Sequence, residues 1–240
     1  MQDNIPFFDI NTIKSFADIY IDVVQDTSKL LSVFHNVTTP IIFIEGNVFE
    51  EYLPMLANIF YPFILFTNNY SGMNKDIKKL LENPNLVVWY CEEKFNSNFK
   101  IQTYPIQPSH NDLHFKSPVI NFHNKSLKEK KILSPADKGL ISYDELIKYK
   151  FVLINNNDKS LVWKALLVGT IPVVLYSLSC DLYINLPVLI VHRWGVLTDD
   201  FLDETYDDFM KDNSLRFDKL YKYYWINEVY RKRCEVRSIQ

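Results

Sequence analysis

Apolar runs separated by polar turns organise the second half of this chain. Residues 151–154 and 171–176 form two unbroken apolar runs, and residues 160–169 between them have the apolar spacing of a helix. Unbroken apolar runs bounded by turn residues are typical of parallel strands that are buried on both faces. The pattern therefore predicts a β–α–β unit, with a short helix before it at residues 143–150 and a third strand after it at residues 188–192.

The first half of the chain shows a related rhythm. Residues 40–44 and 62–67 are apolar runs, and residues 48–60 between them repeat apolar side chains at helical intervals. The same pattern predicts a helix at residues 74–81 and strands at residues 86–90 and 100–106. The first half is therefore predicted to form a second α/β layer.

The two halves are joined by a segment without periodicity. Between residues 107 and 138 the apolar pattern fades and proline, asparagine and serine accumulate, which is typical of a linker. We therefore expect a compact α/β protein with two Rossmann-like lobes. The predicted boundaries are an N-terminal lobe at residues 1–115, a linker at residues 116–138, and a C-terminal lobe with its C-terminal helices at residues 139–240.

Composition excludes several classes of protein. The chain has 240 residues, of which 48% are hydrophobic and 23% charged, as in ordinary globular proteins. A net charge of −3 gives no electrostatic signal for nucleic-acid binding. Three widely spaced cysteines argue for a reducing compartment and against a disulfide framework or a zinc site. With no basic flank followed by a long apolar run, we expect a cytoplasmic protein without a transmembrane segment.

The polar turn inside the β–α–β unit is the best candidate for a ligand site. Ligands of parallel α/β sheets bind beyond the carboxyl ends of the strands. That position is taken by a turn and a helix start, where free N–H groups and the helix dipole favour an anion such as a diphosphate. A nucleotide-linked substrate is the expected ligand. The candidate donor-binding residues are Asn155, Asn156, Asn157, Asp158, Lys159 and Lys164.

Some of these candidates also have structural interpretations. Asp158 has the position of a helix N-cap, and this role competes with direct contact to a substrate. Lys159 and Lys164 fit either a phosphate contact or a solvated helix face. Trp163 is expected in the core, and Gly169 is expected to end the helix.

The sequence of this unit resembles the donor-site segment of exostosin-like glycosyltransferases. The matching residues read YKFVL at 149–153, then Asp158, then WKALLVGTIPVV at 163–174, and LPVLIV at 186–191 followed by Trp194. Further strands of the same proteins are similar to residues 62–68, 83–90 and 104–106. The resemblance covers roughly residues 40 to 210, which is most of the chain.

This resemblance implies a two-lobed GT-B-like fold and a metal-independent glycosyltransferase with no cofactor. The implied partners are a nucleotide-sugar donor as co-substrate and a glycan or glycoprotein acceptor. The chain departs from the family pattern in two charged positions, because the family's Arg falls at Leu161 and its Glu falls at Lys164. The turn glycines are replaced by Asn156 and Asn157. A catalytically inactive glycan- or nucleotide-binding protein is therefore the alternative, and an assembly partner that binds no nucleotide is a third possibility.

Acceptor-side candidates lie in the first half and in the linker. His110 and Asp112, in the segment without periodicity, are candidate catalytic bases, although a role as surface-loop residues is the favoured interpretation. Asn68 and Asn69 follow an apolar run at its predicted carboxyl end, so they are candidates for acceptor or cleft contacts as well as for turn formation. The six acidic residues between 199 and 208 are predicted to form the polar face of a helix, so no metal site is expected.

Overall fold

The protein contains two compact units, each made of two separate segments of the sequence. The computed structural model describes residues 8–24, 27–70, 76–105, 122–123, 128–134, 141–154 and 158–237. One unit consists of Phe8–Pro105 together with Trp225–Gln240, and the other of Met1–Phe7 together with Ile106–Tyr224. The sequence-based boundaries placed the whole C-terminus in the second lobe, whereas the chain from Trp225 onwards belongs to the first unit.

The first unit is built on a sheet of five parallel strands that stand in chain order. The strands are β1 (Ile19–Ile21), β2 (Ile41–Glu45), β3 (Phe63–Asn68), β4 (Leu86–Cys91) and β5 (Ile101–Thr103). Its helices are α1 (Ile10–Phe16), α2 (Thr27–Asn36), α3 (Gly46–Leu56) and α4 (Ile77–Glu82). The predicted strands at 40–44, 62–67 and 86–90 are confirmed, whereas α1, β1 and α2 lie where the pattern predicted no element.

Both faces of this sheet are covered, which explains the unbroken apolar runs. Alternate residues of each strand point to opposite faces. Ile42 and Ile44 join a buried cluster with α2, α3 and α4, whereas Ile41 and Phe43 join a second cluster with α1 and the C-terminal helix. The C-terminal helix contributes Val229 to that second cluster. This burial is the physical reason that the C-terminal segment belongs to the first unit.

The second unit contains a sheet of four parallel strands, also in chain order. The strands are β6 (Lys130–Leu133), β7 (Tyr149–Leu153), β8 (Ile171–Leu175) and β9 (Leu189–Val191). Its helices are α5 (Tyr143–Leu146), α6 (Lys159–Leu167) and α7 (Asp199–Lys211), and helix α8 (Lys222–Arg237) begins in this unit and continues in the first. Among the described residues of this unit, short 3₁₀ helices lie at Leu178–Tyr183, Trp194–Val196 and Phe217–Leu220.

The predicted β–α–β unit is confirmed as β7, α6 and β8. The short helix before it ends at Leu146, because strand β7 already begins at Tyr149. Strand β6 falls within the segment that the sequence assigned to a linker, where it pairs Ile132 with Phe151. Two of its four residues are lysines, so the segment lacks the unbroken apolar run that predicts a buried strand.

The two faces of the second sheet are covered by different helices. One set of alternate strand positions, including Val173 and Val191, packs in a buried cluster with Leu202 and Tyr206 of α7. All six acidic side chains of α7 are exposed, so the predicted polar helix face is confirmed. Helix α6 carries six buried residues that lie outside this cluster, and it covers the opposite face of the sheet.

These observations confirm the α/β class and two parallel sheets of Rossmann-like character. The finer assignment to a GT-B fold stays a prediction. Among the described helices, none combines the length and the apolar character required to cross a membrane.

Candidate functional site

Four of the residues predicted to bind ligand lie at the carboxyl edges of the two sheets. Asn68 ends β3 in the first unit, and Asn69 follows it. Asp158 and Lys159 begin α6 in the second unit, just after β7. The predicted donor residues Asn155, Asn156 and Asn157, and the candidate bases His110 and Asp112, lie outside the described residues.

Asp158 is the N-cap of α6. Its Oδ1 accepts hydrogen bonds from the backbone N–H of Leu161 at 3.1 Å and from the hydroxyl of Ser160 at 2.8 Å. The structural interpretation of Asp158 is thus confirmed, although the side chain stays exposed at the carboxyl edge of the sheet. Lys159 is half-buried and occupies the first helical position.

The two positions at which this chain departs from the resembled family lie further along α6. Leu161 is 5% exposed and forms part of the core. Since leucine is uncharged, this position offers a ligand no cation. Lys164 is half-buried, five residues after Lys159, which corresponds to about 7.5 Å along the helix axis. Trp163 is buried as predicted, and Gly169 ends the helix region with a φ of 71°.

Two aromatic side chains that the sequence did not indicate lie at the same edge. The Tyr176 ring follows β8 and is 59% exposed. The His192 ring follows β9, and the two ring centroids are 5.0 Å apart with an interplanar angle of 37°. A backbone hydrogen bond from Tyr176 N–H to the Val191 carbonyl, at 2.9 Å, extends the ladder to this point. In the sequence, both residues stand at the last positions of apolar runs, and nothing there marks them as ligand contacts.

The carboxyl edge of the first sheet contains an open cavity of about 380 Å³. It is lined by Tyr20, Asp22, Glu45, Gly46, Asn47 and Asn69. The predicted cleft residue Asn69 is therefore part of a cavity, with a left-handed φ of 47°. Asn68 is 3% exposed and contacts the cavity lining through its Oδ1, which accepts a hydrogen bond from Gly46 N–H at 3.2 Å.

A charged cluster fixes one wall of this cavity. The Tyr20 hydroxyl donates to Glu45 Oε1 at 2.7 Å. Lys14 Nζ lies 3.5 Å from the same oxygen and 4.2 Å from the centroid of the Tyr20 ring. The Tyr20 contact and then the Glu45 carboxylate raise the pKa of Lys14, while burial and the bond to Glu45 raise the pKa of Tyr20. The cluster holds a carboxylate at the cavity with its charge balanced by a lysine.

The chemistry of the cavity favours a hydroxylated ligand over an anion. Two carboxylates and two amides line it, and these groups accept hydrogen bonds from hydroxyls. The first N–H of α3 is already taken by Asn68, which removes one of the donors that an anion would use at this helix start. The described residues contain no group of three or more His, Cys, Asp or Glu side chains that is arranged to hold a metal ion.

Comparisons with known proteins identify no relative of this chain that could indicate its ligand. Protein-family models give no match to this sequence. A comparison with curated proteins gives no match either.

Proposed function

We propose that this protein transfers a glycosyl group from a nucleotide-sugar donor to a hydroxyl group of a glycan acceptor. The observation that carries the proposal is the position of the segment that resembles exostosin-like glycosyltransferases. This segment contributes β7, α6 and β8, and the start of α6 lies at the carboxyl edge of a parallel sheet, where such sheets bind ligands.

The donor is proposed to bind the second unit. Transfer of a sugar leaves negative charge on the departing nucleoside diphosphate, and a helix start together with a nearby cation stabilises that charge. Lys159 at the start of α6 is the proposed cation. This arrangement provides electrostatic stabilisation through the chain's own groups.

The acceptor is proposed to bind the cavity of the first unit. Hydroxyls of a glycan would donate to Asp22 and Glu45 and exchange hydrogen bonds with Asn47 and Asn69, which line the cavity. The attacking hydroxyl also requires a base. His110 and Asp112 remain the candidates proposed from the sequence for that role.

A second candidate function is binding of a nucleotide or glycan without catalysis. Leu161 favours binding without catalysis, because the resembled family places an arginine at that position and Leu161 is instead a core residue, 5% exposed. Without that cation the charge developing on the leaving diphosphate has fewer partners, and this lowers transfer more than it lowers binding.

The test is a release assay with purified protein. Nucleotide sugars are incubated with and without a mixture of oligosaccharide acceptors, and the free nucleoside diphosphate is measured. Acceptor-dependent release supports transfer. Thermal shift with the same nucleotides reports binding separately, because a ligand that binds the native state raises its apparent stability.

Lys159→Ala provides the site-specific comparison. It is expected to weaken donor affinity by up to about fivefold, because an exposed ion pair contributes about 0.2–1 kcal/mol. Lys148→Ala removes an exposed lysine elsewhere in the second unit and serves as the control. Nucleotide binding with no release from any donor would favour the non-catalytic function. No binding of any nucleotide would contradict both transfer and nucleotide binding.

A further inference from the structure

The carboxyl edge of strands β8 and β9 presents an open aromatic surface formed by Tyr176 and His192. The strands pair Leu175 with Val191, so Tyr176 and His192 form the next pair across the ladder. Their rings touch, yet 59% of Tyr176 is exposed. A ring that contacts one neighbour and is exposed to this degree leaves a face open for a planar ligand.

This aromatic pair lies on the same face of the sheet as helix α6. Val173 and Val191 point towards α7, so alternation along the strands directs Tyr176 and His192 to the opposite face. Helix α6 covers that face and starts at the same carboxyl edge. Ile190 on this face is 37% exposed, so the strip beside the aromatic pair is open rather than covered by protein.

The separation of these features fits a nucleotide. Strands β7, β8 and β9 are neighbours, and neighbouring strands lie about 4.8 Å apart. The carboxyl end of β7, which leads into α6, and the carboxyl end of β9, which leads to His192, are therefore about 10 Å apart across the sheet. A nucleoside diphosphate has a planar base at one end and its charge at the other, over a comparable length.

A cationic side chain stands at the end of this strip away from the aromatic pair, because Lys159 begins α6. Aromatic rings bind bases through stacking, and cations bind phosphates through charge. An inorganic anion would make no use of the aromatic rings, whereas a nucleoside diphosphate uses both the rings and the cation.

We propose that Tyr176 and His192 form the base-stacking surface of a nucleoside diphosphate site, with Lys159 beside its phosphates. This inference rests on the proposed function, since it names the part of the donor that the second unit recognises. It assigns the two aromatic residues a binding role that the sequence did not indicate. The base is held by stacking, so we expect tolerance among bases rather than strict selection.

Calorimetric titration with uridine, adenosine, guanosine and cytidine diphosphates, and with inorganic diphosphate, tests this assignment. Tyr176→Ala is expected to weaken the binding of nucleoside diphosphates about 5- to 100-fold. It should leave the affinity for inorganic diphosphate unchanged. Tyr176→Phe keeps the ring and should bind as the unmodified protein does.

Tyr223→Ala is the matched control. Tyr223 lies in the same unit and is 54% exposed, so its loss removes a similar exposed ring away from the sheet edge. Its nucleotide affinity should equal that of the unmodified protein.

The outcomes separate this inference from the proposed function. If Tyr176→Ala binds nucleoside diphosphates with full affinity, or loses inorganic diphosphate to the same extent, stacking on Tyr176 is excluded while donor binding by the protein stands. If no nucleoside diphosphate binds to the unmodified protein, both are contradicted.

Discussion

The two units connect a parallel strand to the following helix in different ways. In the first unit, β2 ends at Glu45 and α3 begins at Gly46, with no residue between them. In the second unit, β7 ends at Leu153 and α6 begins at Lys159, so five residues separate strand and helix. The first helix start is packed against protein backbone and bonded to Asn68, whereas the second is capped by the exposed Asp158.

This difference indicates which junction is suited to an anionic ligand. A helix start binds an anion through its free N–H groups. At α3 the first N–H is used by Asn68, so the adjoining cavity offers mainly hydrogen-bond acceptors. At α6 the edge of the sheet also carries exposed aromatic and cationic side chains. Because Asp158 likewise takes the Leu161 N–H at the start of α6, it is these exposed side chains that support the proposal of a nucleotide in the second unit and a hydroxylated ligand in the first.

The largest expected effect comes from adding a methyl group at Gly46, where β2 meets α3. A Cβ at position 46 would lie 2.3 Å from the carbonyl oxygen of Asn68 and 2.8 Å from backbone atoms of Asn69. Backbone atoms cannot rotate away as a side-chain tip does. Gly46→Ala is therefore expected to lower the free energy of unfolding by about 3 kcal/mol, measured by urea denaturation.

Gly195→Ala is the control for that substitution. No heavy atom lies within 4 Å of a Cβ built at Gly195, so its free energy of unfolding should change by less than about 0.5 kcal/mol. Equal stabilities for the two variants would show that the junction at Gly46 relaxes freely, and the comparison between the two helix starts would lose its physical basis.

The second expected effect concerns the opposite end of α6, where a lysine is buried. Lys128 is 7% exposed and donates hydrogen bonds to the carbonyl of Val168 at 3.2 Å and to the hydroxyl of Thr170 at 3.0 Å. Burial lowers the pKa of Lys128 to about 7. Between about pH 7 and the ordinary lysine pKa, the unfolded chain binds a proton that the folded protein does not.

Stability therefore rises with pH across that window, since the unfolded state binds more protons there. Relative to Lys128→Met, the unmodified protein should gain about 2 kcal/mol in free energy of unfolding between pH 7 and pH 9. Urea denaturation of both proteins at several pH values measures this difference. A difference that stays constant with pH would show that Lys128 keeps its charge in the folded state.

The third expected effect comes from removing the Asn68 side chain, which bonds the first N–H of α3. Asn68→Ala leaves Gly46 N–H without its acceptor and a space beside β3, so we expect a loss of about 1.5 kcal/mol in unfolding free energy. Chemical denaturation measures the loss, and Asn47→Ala, an exposed residue lining the same cavity, is the control. A loss no larger than that of the control would mean that water replaces the amide without cost.

The sequence predicted those parts of the fold that depend on local pattern. Apolar runs were sufficient for β7 and β8, because both are buried on two faces, and the polar turn was sufficient to place Asp158 as an N-cap. Strand β1 has only three residues, and β6 begins with two lysines, so neither produces a clear run.

The site depended more on contacts between distant parts of the chain. Tyr20 and Glu45 are 25 residues apart and meet because β1 and β2 are neighbouring strands. Tyr176 and His192 meet for the same reason across β8 and β9. Asn69 was accessible to sequence analysis because it directly follows a predicted strand. Which distant residues meet at a site depends on the order of the strands in the sheet. Apolar periodicity alone does not specify that order.

The smallest expected effect concerns the cap of the second junction. Asp158→Ala removes the acceptor that Leu161 N–H uses, and we expect a loss of about 1 kcal/mol in unfolding free energy. Asp158→Asn retains an acceptor oxygen and should lose only a few tenths of that value. Denaturation of both variants, compared with Asn68→Ala, measures how differently the two helix starts are stabilised. If Asp158→Ala costs more than Asn68→Ala, the start of α6 is the more tightly fixed of the two, and the assignment of the nucleotide to an open second junction would no longer be supported.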